Sequence, residues 1–226
     1  MVTAIIVAAG RGTRMGPNQD KLFLEVAGRP VVAHTWRRFD QAKEIGEVIV
    51  VVREGMQGAF QELAKQSALT KQYRLVVGGV ERQDSVWNGL EAVKPECEVV
   101  CIQDGARPCT SAEIISETIH EAWEMGAAVA ARPVTDTIKE SMDGRLIERT
   151  VDRAKLWAVQ TPQTFRVEVI RDAISTARAK GLHLTDDTAA CELSGHPVRL
   201  VTGAAPNPKV TVPDDLAYVE LLLRRV

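Results

Sequence analysis

The chain has 226 residues, 45% of them hydrophobic, and a formal net charge of -2. That length supplies one sizeable hydrophobic core, and the near-neutral charge argues against an electrostatic nucleic-acid binder. The sequence holds no apolar run near the roughly 20 residues that span a bilayer, and it begins without a signal-like basic region. We therefore expect a cytoplasmic protein with neither nucleic acid nor membrane as a partner.

Short aliphatic runs alternate with helical patterns along the chain. Their apolar residues are continuous rather than alternating, which is typical of strands buried on both faces of a parallel sheet. The runs cover residues 3–9, 47–52, 73–79, 98–105, 126–134 and 197–203. Strands and helices in alternation predict an α/β sheet with right-handed crossovers.

Three segments carry helix-end signals. One helix is expected from Pro30, which suits a first helical position. A second opens with Thr110 and Glu113 at capping-box spacing and ends at Gly126, a suitable C-terminal cap. The last begins with Pro213 and two aspartates, which favour a helix N-terminus.

The stretch 135–158 interrupts this alternation. Two polar, extended segments flank an Asp-Gly pair, Asp143 and Gly144, which is a strong hairpin signal. A hairpin with so little core of its own either packs on a second subunit or remains a loose surface feature. We favour a dimerisation arm on a single domain that spans residues 1–226.

The first strand leads into a loop of small and basic residues. The loop lacks the G-x-x-x-x-G-K-[ST] pattern, and its third glycine comes one position too late for G-x-G-x-x-G. What remains is a small-residue turn followed by Arg11, Thr13, Arg14 and Lys21. Small residues let backbone N–H groups approach a ligand, and three cations suit a triphosphate. The alternative is an ordinary surface turn with solvated charges.

Asp104 ends an apolar strand and is followed by glycine. Ligands of open α/β sheets bind at the carboxyl ends of strands, and Mg²⁺ commonly combines one or two carboxylates with phosphate oxygens. The position therefore suits a metal that also binds phosphate. Alternatively, Asp104 pairs with Arg107 in a structural turn.

A strand-to-helix junction carries Gly78, Gly79, Arg82 and Ser85. The glycines could expose backbone to a base, and the two side chains lie near a helix start, where anions are favoured. The alternative is a helix-capping turn.

Further along, several polar positions remain open to two interpretations. Arg153 lies in the predicted arm, and Thr161 with Gln163 lies in a predicted polar turn. The paired acids Asp186 and Asp187 cap a helix or bind metal. Lys209, taken alone, is an ordinary surface lysine.

Four cysteines show no C-x-x-C spacing, and the four histidines show no metal-ligand spacing. The cysteines are Cys97, Cys101, Cys109 and Cys191. We expect buried free thiols rather than a zinc site.

Taken together, the motifs resemble those of the 2-C-methyl-D-erythritol 4-phosphate cytidylyltransferase family. Nine segments match in order: AAGRGTRM, DKLFL, GGVERQDSV, QDGARPC, PVTDTIK, TVDRAKLW, QTPQTF, TDDTAA and NPKVTVPDDL. Each is weak alone, but nine in the right order and spacing are specific. The resemblance covers essentially the whole chain. It implies a Rossmann-like, GT-A-like nucleotidyltransferase fold: a three-layer α/β sandwich with a mostly parallel sheet and a protruding β-arm that builds a homodimer.

The resemblance also implies an activity. The family transfers CMP from CTP to 2-C-methyl-D-erythritol 4-phosphate with Mg²⁺, in the non-mevalonate isoprenoid pathway. By position, the residues that would line CTP are Ala8, Ala9, Gly10, Gly79, Ser85 and Gly105. Arg14 and Lys21 would hold the triphosphate and stabilise the transition state, and Asp104 would bind the metal.

The same resemblance implies a site for the second substrate. Thr137 and Arg153, on the arm, would reach the methylerythritol phosphate of the neighbouring subunit. Thr161 and Lys209 would complete that pocket, and Lys209 also counts among the implied catalytic residues.

Two departures and two rival functions accompany this resemblance. Val80 stands where the family often has an acid, and Gly105 replaces a common alanine. A ribitol-5-phosphate cytidylyltransferase shares most nucleotide motifs, although the AAG start and the VDR segment favour methylerythritol phosphate. A catalytically silent nucleotide-binding regulator is the other rival. Retention of Arg14, Lys21, Asp104 and Lys209 argues against it.

Overall fold

The computed structural model describes residues 1–10, 12 and 20–225. Arg11, Thr13 and Arg14 of the first loop, to which the sequence assigns phosphate binding, lie outside the described residues.

Strands and helices alternate as the sequence predicts. The strands are β1 (Val2–Ala8), β2 (Glu25–Val26), β3 (Arg29–Pro30), β4 (Ile45–Val52), β5 (Gln72–Val77), β6 (Val99–Asp104), β7 (Ala127–Pro133), β8 (Ile138–Glu140), β9 (Arg149–Val151), β10 (Trp157–Arg166) and β11 (Arg199–Val201). The helices are α1 (Val31–Gln41), α2 (Gln57–Gln66), α3 (Arg82–Glu91), α4 (Ala112–Met125), α5 (Val167–Ala179), α6 (Asp187–Leu193) and α7 (Asp215–Leu223).

In the described part of the chain, one sheet of seven strands runs in the order β11-β7-β10-β6-β1-β4-β5. Neighbouring strands are parallel, except that β10 runs antiparallel between β6 and β7. The carboxyl ends of β1, β4, β5 and β6 therefore share one edge of the sheet. The mostly parallel α/β architecture is confirmed.

Helices cover both faces of the sheet, which explains the continuous apolar runs. Ile6 of β1 belongs to the cluster that packs under α1, α2, α4 and α7, whereas its neighbour Ile5 packs against α3, α5 and α6. Successive strand residues thus enter opposite cores. None of the helices in the described residues combines the length and apolarity that a bilayer crossing needs.

The strand β10 corrects the sequence prediction. Thr161 and Gln163 were expected in a polar turn, but both lie in this strand and are 3% and 2% exposed. Their neighbour Thr164 is also buried, and its hydroxyl donates to Thr118 at 3.1 Å. A buried strand with polar residues lacks the apolar run that a hydropathy pattern detects. Its polar side chains are buried because they form hydrogen bonds with other elements.

Two predicted helix starts are shifted by one residue. Pro30 is the N-cap of α1 rather than its first helical residue. Ser111, not Thr110, caps α4, and its hydroxyl accepts from the backbone of Ile114. The predicted end of α4 is confirmed, since Gly126 adopts a left-handed φ of 87° and donates to Ala122.

The predicted hairpin is present, with different limits. Strands β8 and β9 pair antiparallel with each other, apart from the main sheet. The loop between them covers residues 141–148, so Asp143 and Gly144 do not form a two-residue turn on their own. Trp157 and Ala158, placed in the arm by the sequence, pair with β7 of the main sheet. The arm therefore comprises residues 135–156.

Candidate active site

The carboxyl edge of the sheet carries a cavity of about 180 Å³. Most of the residues predicted to bind nucleotide or metal line it. They are Ala9, Gly10, Lys21, Gly79, Ser85, Asp104, Gly105 and Lys209. Ala8 does not join them, since it is 4% exposed and belongs to the core cluster. Parallel strands bring these loops together because their carboxyl ends meet at one edge.

Asp104, the last residue of β6, lies between cations. Lys209 Nζ donates to its Oδ2 at 2.6 Å, Arg82 Nε donates to its Oδ1 at 3.4 Å, and Arg107 Nε lies 3.9 Å from Oδ2. Burial raises the pKa of the Asp104 carboxyl, but Arg82, Lys209 and Arg107 together lower it to about 2. The carboxylate is therefore ionised at neutral pH. The alternative drawn from the sequence, that Asp104 pairs with Arg107, corresponds to the longest of these three contacts.

Lys209 is held in position by the segment around it. The backbone of Val210 donates to Ala106 at 2.9 Å, directly beyond Asp104. Asn207 donates to the carbonyl of Thr161 at 2.7 Å and accepts from Arg107 through its own carbonyl at 2.7 Å. These contacts fix residues 207–210 against β6 and β10, which brings a lysine from far along the chain into the cavity.

Lys21 reaches the same segment from the other side of the cavity. Its Nζ donates to the carbonyl of Val210 at 2.9 Å. The backbone of Leu22 just beyond it donates to Asp20 at 3.1 Å, and Asp20 pairs with Arg53 at 2.9 Å. Two lysines, Lys21 and Lys209, therefore line one cavity, which suits an anionic ligand.

Close backbone packing explains the paired glycines after β5. A side chain at Gly79 would place its Cβ 2.3 Å from that of Asp84, and one at Gly78 would lie 2.5 Å from the Cβ of Ala9. Gly79 N–H donates to the hydroxyl of Ser85 at 3.1 Å, and that hydroxyl donates to Glu81. Gly79 thus forms part of the cavity wall, and Gly78 packs closely against Ala9, which also lines the cavity.

The chain's similarity to known proteins agrees with this arrangement. The family described as IspD, 2-C-methyl-D-erythritol 4-phosphate cytidylyltransferase, matches residues 2–225. The chain belongs to this family.

Curated relatives and solved structures carry related names. The 2-C-methyl-D-erythritol 4-phosphate cytidylyltransferase of Caldanaerobacter subterraneus is 43% identical over 99% of both chains. That of Alkaliphilus oremlandii is 42% identical over 98% of this chain and 94% of its own. The structure of 4-diphosphocytidyl-2C-methyl-D-erythritol synthase from Anaerococcus prevotii matches with a TM-score of 0.87 and 31% identity, covering 99% of this chain and 96% of that one. The cytidylyltransferase structure from Thermus thermophilus matches with a TM-score of 0.80 and 32% identity, covering 99% and 100%.

One of the two positions at which the sequence analysis expects a departure from the usual family residues lies at the cavity mouth. Val80 lines the cavity and is 95% exposed. A side chain so exposed adds little to the cavity wall. The hydrogen bond from the Gly79 backbone to Ser85 does not involve the side chain at position 80.

The residues predicted to bind the second substrate divide into two groups. Thr161 lies beneath Asp104, where its hydroxyl accepts from the Asp104 backbone at 3.1 Å. Thr137 and Arg153 are exposed on the arm, and Arg153 donates to the carbonyl of Thr135. Neither arm residue lines the cavity of its own chain as described.

The cavity suits a divalent cation that is shared with phosphate. Asp104 is a buried, ionised oxygen donor, and Mg²⁺ typically takes one or two carboxylates together with substrate phosphates. Among the described residues, no cluster of three or more acidic, histidine or cysteine side chains could hold a metal by itself. Asp104 could contribute a carboxylate ligand to such an ion.

Sequence reasoning noted Arg82 near a helix start but assigned it no role in the site and no partner. Arg82 begins α3, lines the cavity and pairs with Asp187 of α6 through two 2.9 Å hydrogen bonds. Burial disfavours its charge, but Asp187 and Asp104 raise the pKa of Arg82 above its ordinary value. One signal was available: a cation at a helix N-terminus opposes the helix dipole and calls for a carboxylate nearby.

The two adjacent acids have different roles. Asp186 caps α6, as its carboxylate accepts from the backbone of Ala189 at 2.9 Å. Asp187 binds Arg82. The four cysteines are buried free thiols, as predicted.

Proposed function

We propose that this chain transfers the cytidylyl group of CTP to 2-C-methyl-D-erythritol 4-phosphate, giving 4-diphosphocytidyl-2-C-methyl-D-erythritol and pyrophosphate. This reaction belongs to the non-mevalonate isoprenoid pathway. The observation that carries the proposal is the contact between Lys209 and the buried Asp104 carboxylate, in a cavity that Lys21 and Gly79 also line. Family membership over residues 2–225 supports it.

The reaction needs little acid–base chemistry. The phosphate of the second substrate is already anionic at neutral pH, so it can attack the α-phosphorus of CTP in line, and pyrophosphate leaves. Catalysis then rests on positioning and on neutralising charge. The cavity supplies cations for this purpose, and its ionised Asp104 has too low a pKa to serve as a general base at neutral pH.

Each cavity residue takes a distinct part in the proposal. Gly79 and Ser85 bind the cytidine through backbone and hydroxyl groups, together with Ala9 and Gly10. Lys21 holds the triphosphate and stabilises the charge that develops on it. A role for Arg14 beside Lys21 stays a prediction, because Arg14 lies outside the described residues.

Asp104 and Lys209 organise the phosphates that react. Asp104 would hold Mg²⁺, which when bound supplies charge compensation to the triphosphate. Lys209, which contacts Asp104 at 2.6 Å, orients the incoming phosphate. Thr161 supports this arrangement by holding the Asp104 backbone from below.

The arm supplies the remaining contacts from a second copy of the chain. It carries three large apolar side chains that are strongly exposed: Met142 at 86%, Leu146 at 73% and Ile147 at 66%. Such a cluster on a polar hairpin is typical of a surface that another chain covers. In the homodimer, Thr137 and Arg153 bind the methylerythritol phosphate in the partner's cavity.

One assay tests the proposal. Purified protein is mixed with CTP, Mg²⁺ and either 2-C-methyl-D-erythritol 4-phosphate or ribitol 5-phosphate, and pyrophosphate release is followed. We expect release with the first and its loss when a chelator removes the metal. Release with ribitol 5-phosphate alone would identify ribitol 5-phosphate as the substrate in place of methylerythritol phosphate. Release with neither would favour a nucleotide-binding regulator.

A further inference from the structure

Arg82 and Asp187 form an ion pair between the wall of the cavity and the protein interior. The two Nη atoms of Arg82 each donate to one carboxylate oxygen of Asp187 at 2.9 Å. This bidentate geometry fixes the plane of the guanidinium as well as its distance. The Asp187 side chain is 2% exposed, whereas that of Arg82 is 29% exposed and lines the cavity. One end of the pair is therefore anchored, and the other faces the site of reaction.

Asp187 is itself held from behind. Its backbone N–H donates to Gln163 Oε1 at 3.0 Å, and Gln163 Nε2 donates to Asp186 Oδ2 at 2.9 Å. Gln163 is 2% exposed and belongs to β10, the strand beside β6. The carboxylate of Asp187 thus has a fixed position relative to the strand that ends in Asp104.

The exposed end of the pair acts on Asp104. Arg82 Nε donates to Asp104 Oδ1 at 3.4 Å, while Lys209 occupies Oδ2 at 2.6 Å. The carboxylate is held from both sides, by one long contact and one short contact. If Asp187 did not occupy both Nη groups, Arg82 could turn them onto Asp104 and form a bidentate pair there. Asp104 would then be bound too tightly and in the wrong plane to face the phosphates.

We infer that Asp187 is a positioning residue for this reaction: it occupies both Nη groups of Arg82, so that Arg82 orients Asp104 without capturing it. The inference rests on the proposed function, since it concerns the same cavity. It assigns a chemical role to a buried acid 83 positions beyond Asp104 in the chain, a role that follows from its contacts with Arg82.

A purely structural role makes a different prediction. In that case the pair only joins α3 to α6, and any neutral pair of similar shape would replace it. Buried ion pairs can often be replaced in this way without loss of stability, although removal of one partner is strongly destabilising. Removing both charges together therefore separates the two roles.

The test compares Asp187→Asn, Arg82→Gln and the double variant, with kcat, KM for each substrate and the melting temperature as readouts. We expect Asp187→Asn to lower kcat roughly 10- to 100-fold, as for other groups that orient a ligand-holding side chain. KM for CTP should change much less, because Gly79 and Ser85 are not touched. In the double variant the melting temperature should recover, since no buried charge is left unpaired, while kcat stays as low as in the single variants.

Glu47→Gln is the matched control. It removes a 3% exposed carboxylate that accepts from Arg74 Nε and Nη2 at 2.9 and 3.1 Å, and neither residue lines the cavity. The melting temperature should therefore fall while kcat remains that of the wild type. The inference is overturned if Asp187→Asn keeps the wild-type kcat, or if the double variant regains kcat together with its melting temperature. If Asp187→Asn does not fold, the double variant alone decides. Failure of the wild-type chain to release pyrophosphate would instead refute the proposed function.

Discussion

Around the cavity, Ser85, Asp104 and Thr161 are buried. Ser85 accepts from Gly79 of the glycine turn, and Asp104 is hydrogen-bonded to Lys209 and Thr161 from distant parts of the chain. On the arm, Thr137 and Arg153 are exposed, and Arg153 donates to Thr135 of the same arm. The first set has its geometry fixed by the folded chain itself. The second set presents polar groups outward with little packing behind them. The difference supports the proposal that one chain preforms the nucleotide site, whereas a partner chain completes the site of the second substrate.

The largest effect is expected from a change in the cavity. Lys21→Ala should lower kcat by about 10²–10³, as removal of one preorganised donor to a developing anion does in other enzymes. KM for methylerythritol phosphate should change less than kcat. Steady-state kinetics with both substrates measures this. Full turnover in the variant would remove Lys21 from the chemistry.

A change in the arm should affect binding rather than turnover. Arg153→Ala should raise KM for methylerythritol phosphate by roughly 10- to 100-fold, which corresponds to the loss of one hydrogen bond to a charged group. KM for CTP should stay near the wild-type value. Arg145→Ala, which removes another exposed arginine of the arm, is the control and should leave both constants unchanged. Equal effects of the two variants would contradict a specific contact.

A third prediction contrasts a closely packed glycine in the cavity wall with an open one on a helix. Gly79→Ala places a Cβ 2.3 Å from that of Asp84, so the wall must shift at a cost of roughly 1–3 kcal/mol in unfolding free energy. Affinity for CTP should fall with it. Gly58→Ala, on α2, meets nothing within 4 Å and should be neutral or stabilise by up to about 1 kcal/mol. Urea unfolding of both variants measures the difference, and similar values would contradict close packing at Gly79.

The smallest effect is expected in how the stability of the protein depends on pH. The pKa of Asp104 in the folded chain is about 2, below the ordinary 3.8, so its ionisation stabilises the fold above pH 4. That contribution, about 2 kcal/mol at one pKa unit per 1.36 kcal/mol, is lost as pH falls from 4 towards 2. Asp104→Asn should be less stable than wild type at pH 6, with a gap that narrows towards pH 2. A gap that is constant with pH would contradict the low pKa.

Much of the fold could be predicted from the sequence, because six of the seven strands of the main sheet are apolar runs and the caps of α1 and α4 are Pro, Ser or Gly. β10 could not, since its buried positions include Thr161, Gln163 and Thr164, whose burial depends on hydrogen-bond partners in other elements. The cap of α4 was misplaced by one residue because both Thr110 and Ser111 are suitable cap residues, and Thr110 stands at capping-box spacing from Glu113.

The site residues that could be predicted are those that lie at or just after the carboxyl ends of strands. Asp104 and Gly79 were placed correctly at the cavity because parallel strands share a carboxyl edge. The partnership of Arg82 with Asp187 was not, since the two lie 105 positions apart and only the packing of α6 beside β10 joins them. Similarly, Lys209 resembles a surface lysine in the sequence, because no local pattern places residues 207–210 against β6.

Shared active sites are tested most directly by mixing subunits. Lys21→Ala chains and Arg153→Ala chains are unfolded together, refolded as a mixture and assayed at low methylerythritol phosphate concentration. If each arm serves the partner's cavity, half of the dimers are mixed and each mixed dimer has one intact site, so activity should reach about a quarter of wild type per subunit. Activity no higher than the average of the two separate variants would contradict the account, because it would mean that each arm serves its own cavity or that no dimer forms.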